Sequence, residues 1–600
     1  MADSTGTRLE PIIIPTIEEM TIENFIDTFY KILEWKKFNG WKAYHDNPSK
    51  QELLEQAKFY GDDYANGAHG WASNIWSRSK NNTAVVEDNS QLDDQHKLLM
   101  RSALEYVLSP NQLIKMDGCY GQNEKVRMHA RVYTDAHYPD LPMRWRELVY
   151  EADPNGKPDC TLLMLPGLWT PATMPGSGGK HPMFIIRFPE HWFTLGSVSS
   201  YQGEWKKSCL THWIYYCYLK GGTGQHAGTR QFEIQDTGGN WKKIGGVIWG
   251  LTGSGKSAHG MYIFDKTNSK FFEDRGLPVL DIVRNQSIKN DDIVGIFEGG
   301  AFGSEKGAWT KTEDVKPDQW AIYTAGVSPR AMHENTGKGA DGNPNFLDTI
   351  LQYRGKPNQN ARTVMYLDDM KPYFDGSIDI DFPPNLLVFI SPGYTCDYAW
   401  LKIMDPYFAA ATLAAGRTVG HPAQSTEGVG EPKYVPLYSP FIVGKSATNA
   451  DHTHRFLDIL RKYMDAGDCQ TLLINTTGRI GTELVEEGGE LKPKFRITSE
   501  GKKKPVGGTG PSIEETELFL MQAARDAVTW EPHPVWGERV LYPTDVPGFS
   551  AERLAELNPF NSRTEEQMRS FLHAQISQTK ALFDSRIKGL DEKIYSAMDF

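Results

Sequence analysis

Apolar residues recur at helical spacing near the start of the chain, at Ile22, Phe25, Ile26, Phe29, Ile32 and Leu33. Positions three and four apart share one face of an α-helix, so residues 1–80 are expected to be mostly helical. From Asn81 to Cys160 short apolar runs are broken by Gly, Asn and Asp, which predicts strands and turns. Between Leu162 and Gly250 the runs LLML, MFIIRF and GVIWG read as strands around a helical stretch, Lys206–Lys220. The segment Asp375–Ile390 ends in LLVFI, a wholly apolar run suited to a strand buried on both faces. Asn475–Pro511, rich in Gly, Lys, Glu and Thr, is expected to be an exposed loop. Residues 563–595 carry Met568, Phe571, Ile576, Leu582, Ile587 and Ile594 at roughly helical spacing, an amphipathic helix closing the chain whose apolar face is packing surface.

A chain of 600 residues exceeds one compact core, so two or more domains are expected. Hydrophobic residues make up 39% and aromatics 12%, enough to exclude a disordered chain. The net charge of −12 gives no global attraction to nucleic acid or to an anionic membrane. A phosphate or carboxylate ligand therefore needs a local cationic pocket. The six cysteines are scattered without a C-x-x-C pair, which argues against a disulfide framework or a structural zinc site. The first residues lack the basic-then-apolar pattern of a signal peptide, and no apolar run approaches the roughly 20 residues that span a bilayer. A soluble, cytoplasmic protein is expected.

The string GLTGSGKS, Gly250–Ser257, satisfies the phosphate-loop pattern G-x-x-x-x-G-K-[ST] in full. Its glycines (Gly250, Gly253, Gly255) let successive backbone N–H groups, with those of Thr252 and Ser254, face a polyphosphate. Lys256 would neutralise the outer oxygens and Ser257 would ligate a metal. The strand-like run Gly246–Trp249 leads into it, as such a loop requires.

The surroundings of this string add a family. YQGEWKK (Tyr201–Lys207), then His226 nineteen positions after Lys207, then GLTGSGKS, resembles the ATP-dependent phosphoenolpyruvate carboxykinases. Further strings agree in order: FEGG (Phe297–Gly300), NAR (Asn360–Arg362), TEG followed by EP (Thr426–Gly428, Glu431–Pro432) and PTDVPG (Pro543–Gly548). Upstream, Asp117, Gly121, Arg127 and Arg131 fall on the family's D-x-x-x-G…R…R segment, so the resemblance runs from about Asn81 to Asn558.

The resemblance implies a mixed α/β carboxykinase fold, with an N-terminal domain, a P-loop-containing C-terminal domain, and the active site in the cleft between them. The expected divisions are a helical extension over 1–80, an N-terminal domain over 81–221, a nucleotide- and metal-binding domain with a lid over 222–562, and a terminal helix over 563–600. The implied reaction is decarboxylation of a small β-oxo acid such as oxaloacetate, coupled to phosphoryl transfer from ATP with Mn²⁺ or Mg²⁺. Arg131 matches the substrate-carboxylate arginine, Tyr201 the tyrosine beside the substrate, and Arg362 the arginine that meets the transferring phosphate. Lys207 and His226 match two metal ligands, and Thr516 a threonine of the nucleotide site. Taken singly, Arg131 or Arg362 reads as a surface ion pair and His226 as a core histidine; the ordered set favours a site.

The chain also departs from the family. The third metal ligand is the second of an Asp-Asp pair thirteen residues before the glutamate of E-G-G. Counting back from Glu298 without gaps lands on Arg284 and Asn285, which makes Asn285 a degenerate metal position. Asp281, Asp291 and Asp292 lie within reach of a shifted alignment. The lysine after E-G-G falls on Ser304, with Lys306 close by, and the adenine-side arginine falls on Gly510. The lid, from Gly416 to Pro432, is altered as well. The metal and nucleotide end thus looks weakened beside a kept carboxylate end. Two alternatives to the standard reaction follow: a repurposed enzyme that transforms another carboxylate with ATP and metal optional, and a non-catalytic nucleotide- or metabolite-binding regulator.

Overall fold

A computed structural model describes residues 11–74, 82–169, 183–250, 254–313, 315–317, 319–347, 352–353, 356–357, 360–419, 432–476, 479–488, 490–497 and 503–600. Three sheets carry the architecture. A seven-stranded sheet runs in the order 44–46, 113–120, 128–135, 160–165, 193–197, 185–188, 83–85. A ten-stranded sheet centres on the antiparallel pair Thr223–Gln235 and Trp241–Trp249. A five-stranded sheet orders Gly307–Lys311, Arg362–Tyr366, Met332–Glu334, His69–Trp71 and Asp62–Asp63.

The expected apolar strand is found at Leu386–Ile390, with all five residues buried, parallel to Trp241–Trp249 on one side and to Gln470–Ile474 on the other. The carboxyl ends of these three strands are adjacent, the usual place for a ligand crevice in an open α/β sheet, and the glycine-rich segment leaves from one of them.

The first 80 residues hold two helices, Ile22–Phe38 and Lys50–Ala57, and Thr21 and Ser49 cap them with reciprocal side-chain bonds. They also hold strands that join the sheets: Tyr44–Asp46 pairs with Leu113–Lys115, and His69–Trp71 with Met332–Glu334. The region expected as strands and turns contains a helix, Asp94–Leu108, whose buried face is Leu99, Met100, Ala103, Leu104 and Val107. Within the expected loop Asn475–Pro511 the described residues form short, mostly exposed antiparallel strand pairs. The closing helix is Glu565–Arg586, and its buried face includes Met568, Leu572, Ile576 and Phe583. No helix among the described residues is long and apolar enough to cross a membrane.

One element matters most for function. The helix Gln202–Leu219 is buried on nearly every side, between the seven-stranded sheet and the strand Thr223–Gln235. Trp205 and Trp213 are fully covered, and at about 25 cal/mol per Å² a buried tryptophan contributes roughly 4–6 kcal/mol. The same helix buries Lys206 and Lys207, whose charges then require partners.

Candidate active site

Those partners come from a break in a strand pairing. Ile293–Phe297 lies along Thr223–His226, and Val283–Asn290 lies along Thr229–Ile234, so two strands run end to end beside one. Asp291 and Asp292 occupy the gap, where the Ala227 N–H donates to the Asp292 carbonyl at 3.0 Å.

Asp292 Oδ1 accepts from Lys207 Nζ and lies 3.1 Å from His226 Nε2, while Oδ2 lies 2.7 Å from Lys206 Nζ. Lys206 Nζ is also 2.6 Å from Glu305 Oε2. Asp291 faces the glycine-rich segment: Oδ1 is 3.3 Å from Lys256 Nζ, and Oδ2 accepts from Ser257 Oγ at 3.1 Å and Thr310 Oγ1 at 3.0 Å. The left-handed backbone of Gly255 (φ 95°) turns the chain into the helix that starts at Lys256.

Beside this group, Tyr201 Oη and Arg362 Nε both donate to Asn360 Oδ1, at 3.3 and 3.0 Å. The Arg362 guanidinium lies 4.8 Å from the Trp309 ring centre, and Lys206 Nζ lies 5.7 Å from it. Trp309 is therefore the apolar wall between the two halves.

Burial opposes ionisation of Asp292, but Lys206 and Lys207 outweigh it and hold the carboxyl well below the usual range. Glu305 has less compensation, and burial pushes it up to about 7. Burial, with Lys207 close by, pushes His226 down to about 4, so its ring is neutral near pH 7.

The neutral ring decides whether this donor set suits a divalent cation. His226 Nδ1 is 2.7 Å from the Gly250 carbonyl, which only accepts, so Nδ1 carries the hydrogen. Nε2 is then a lone pair facing a carboxylate oxygen at 3.1 Å. Two acceptors set face to face call for a cation between them. An imidazole nitrogen, a carboxylate oxygen and a lysine amine in its neutral form suit one. Among the described residues no group of three or more His, Cys, Asp and Glu is gathered for a metal, and Lys207 is the further side chain that touches Asp292 Oδ1 beside His226.

Of the residues expected from sequence, Tyr201, Lys207, His226, Ser254, Lys256, Ser257 and Arg362 lie in or beside this group. Thr252, Gly253, Thr426–Gly428 and Glu431 lie outside the described residues. Thr516 sits buried on the helix Ile513–Ala524, and its neighbour Glu517 reaches His259 and Arg230 at 2.7 Å each.

Asn285 does not join the group. It is a left-handed residue (φ 49°) at an irregularity in the pairing with Thr223–Gln235, and Arg284 beside it pairs with Glu233 at 2.7 Å. Glu233 is seven residues along the strand from His226, roughly 23 Å at about 3.3 Å per residue. Asparagine tolerates that backbone, which gives the position a structural reason.

Arg131 does not join either. Its Nε donates to Asp117 at 2.7 Å and its Nη2 to the Pro154 and Gly156 carbonyls. Ser304 donates to the Ile293 carbonyl, and Lys306 lies apart near Glu147 and Arg146. Gly510 receives a guanidinium through space, since Arg553 Nη2 donates to its carbonyl at 3.0 Å. Glu305, Trp309 and Thr310 carried no sequence signal, whereas Asp291 and Asp292 were among the acids a shifted alignment left open.

The family model described as phosphoenolpyruvate carboxykinase matches residues 43–492. The phosphoenolpyruvate carboxykinase (ATP) of Aeropyrum pernix is 25% identical over 374 residues, which is 62% of this chain and 67% of that protein. The phosphoenolpyruvate carboxykinase (ATP) of Wigglesworthia glossinidia brevipalpis is 22% identical over 334 residues, 55% of this chain and 53% of that protein. The match thus spans about two thirds of one relative and about half of the other.

Proposed function

Because this chain belongs to the phosphoenolpyruvate carboxykinase family, we propose that it is a carboxy-lyase of the ATP-dependent type. Its substrate would be a small β-oxo acid of the oxaloacetate kind, decarboxylated with transfer of the γ-phosphoryl group of ATP. The observation that carries this reading is the Asp291–Asp292 pair, which joins Lys256 and Ser257 on one side to Lys207 and His226 on the other.

In this reading Lys256 moves between Asp291 and the phosphate oxygens, and the backbone around Ser254–Lys256 cradles the chain of phosphates. A divalent cation held by His226, Asp292, Lys207 and Ser257 would supply positive charge to the enolate oxygen and the transferring phosphate. The Gly250 carbonyl fixes the tautomer of His226, which leaves Nε2 free to hold the cation beside Asp292. Arg362 and Tyr201, tied together through Asn360, bind and orient the anionic groups of the substrate against Trp309. The buried helix Gln202–Leu219 and Trp309 keep water from that side.

A second reading, a family member turned to another carboxylate with ATP and metal dispensable, is favoured by Glu305. This buried carboxyl stands 2.6 Å from Lys206 and alters the charge behind Asp292.

Product analysis with oxaloacetate, ATP and Mn²⁺ separates the readings. Phosphoenolpyruvate, ADP and CO₂ in equal amounts support the first. Pyruvate and CO₂ above the protein-free control, with ATP intact, support the second. Tight ATP binding without turnover of any acid would leave a nucleotide- or metabolite-binding regulator.

A further inference from the structure

A cavity of about 80 Å³ lies under the helix Glu565–Arg586 and shares no lining residue with the Asp291–Asp292 group. Its buried lining side chains include Tyr398, Arg417 and His533. Each carries a hydrogen-bond donor that has no acceptor among the described residues: Tyr398 Oη, Arg417 Nε and His533 Nε2.

The tautomer of His533 follows from its neighbours. Its Nδ1 accepts from the Val535 and Trp536 N–H groups at 3.1 and 3.4 Å. Burial holds the ring neutral, so Nε2 carries the hydrogen. The Tyr398 and His533 ring centres lie 5.1 Å apart, so the two side chains are neighbours in the lining.

The one carboxylate in the lining is already engaged. Asp397 pairs with Arg417 Nη1, and both its oxygens also face Gln575 Nε2 at 3.2 Å. Tyr438 donates to the Ile390 carbonyl at 2.9 Å. Buried polar groups in folded proteins nearly always find partners, and three unpaired donors around one space point to an acceptor that belongs there.

We propose that this cavity binds a small monovalent oxyanion, of acetate or bicarbonate size, held by Tyr398, His533 and the Arg417 guanidinium. The volume is between two and three times the roughly 30 Å³ that a water takes in the liquid, room for three or four heavy atoms. Water fits less well, because each water must also donate, and Asp397, the strongest acceptor in the lining, already takes Arg417 and Gln575. A dianion is disfavoured because Asp397 already balances the only cation of the set.

The test is thermal unfolding of the full chain against rising acetate, bicarbonate, sulfate and chloride at constant ionic strength. The wild type is expected to show a saturable rise in Tm with acetate or with bicarbonate, and the responding salt identifies the source. Tyr398→Phe, which removes one unpaired hydroxyl, is expected to need at least fivefold more of that salt. Arg569→Gln, on the exposed side of the same helix, is expected to keep the wild-type curve. If Tyr398→Phe does not fold, Ile576→Phe, which fills the cavity from the helix, serves the same readout. Equal curves for the wild type and the cavity variant would overturn the proposal. So would the same rise with all four salts, or no rise with either acetate or bicarbonate.

Discussion

His226 Nε2 stands 3.1 Å from Asp292 Oδ1, while the Nδ1 of the same ring is held 2.7 Å from the Gly250 carbonyl. The second contact decides what the first one is. With Nδ1 protonated and the ring neutral, the Nε2 lone pair meets an ionised carboxylate, an arrangement that a bound cation relieves. The Gly250 carbonyl sits where the glycine-rich segment begins, so the ring's orientation is tied to that segment.

Lys256 and Ser257 both reach Asp291 from the start of one short helix. Replacing Lys256 by Met is expected to lower kcat/KM for ATP at least 100-fold, about 2.7 kcal/mol of transition-state stabilisation. Ser257→Ala should cost about tenfold. Steady-state kinetics at varied ATP, with circular dichroism to confirm the fold, checks both. Unchanged kinetics in Lys256→Met would remove the glycine-rich segment from the reaction.

Arg131 and Arg362 are expected to separate cleanly. Asp117 is buried, which pushes its carboxyl up, yet His129, Asn47 and Arg131 hold it down at about 2. Arg131→Met should therefore cost roughly 1–3 kcal/mol of stability and leave kcat near the wild-type value. Arg362→Met should lower kcat/KM about 100-fold with little change in Tm. Urea unfolding and steady-state rates on the two variants decide it, and a catalytic loss in Arg131→Met with stability intact would restore that residue to the site.

How far the sequence reached can be seen residue by residue. Lys207, His226, Lys256 and Ser257 were legible because each sits at a fixed offset along one helix, one strand or one turn. Asp292, the acid that the proposed reading puts beside His226, was not reached by the gapless count, because its distance from Glu298 is set by the length of one strand. The strand Ile293–Phe297 has only five residues here, and the hairpin closes through Glu298 and Gly299. A gapless count assumes the longer spacing and overshoots to a structural asparagine. The helix Asp94–Leu108 was hidden by the Asn, Asp, Ser and Pro residues on either side, although its apolar positions keep the 3.6-residue period. Pairing of Tyr44–Asp46 with Leu113–Lys115 joins segments far apart in the chain, and no local pattern announces such a contact.

Four buried histidines make stability depend on pH in a stated direction. Burial pushes His212, His333, His452 and His533 each down to about 3, below the unfolded value near 6.5. A depressed pKa contributes stability that is complete above the unfolded value and is lost as pH falls toward the folded one. Between about pH 6.5 and 3 each histidine should therefore remove up to about 1.4 kcal/mol per pH unit. Urea unfolding at pH 7.5 and pH 5.5 is expected to show a loss of several kcal/mol, with proton uptake on unfolding. Equal stability at the two values would mean that these rings are not buried as neutral groups.

The most direct test of the account is Mn²⁺ titration, read by electron paramagnetic resonance, of the wild type, Asp292→Asn and Asn285→Asp. Placing the cation between His226 and Asp292 predicts that Asp292→Asn weakens Mn²⁺ binding about 10–100-fold. It also predicts that Asn285→Asp, roughly 23 Å away along the strand, leaves binding unchanged. Tighter Mn²⁺ binding in Asn285→Asp together with unaltered binding in Asp292→Asn would contradict it, and would move the metal position to residue 285.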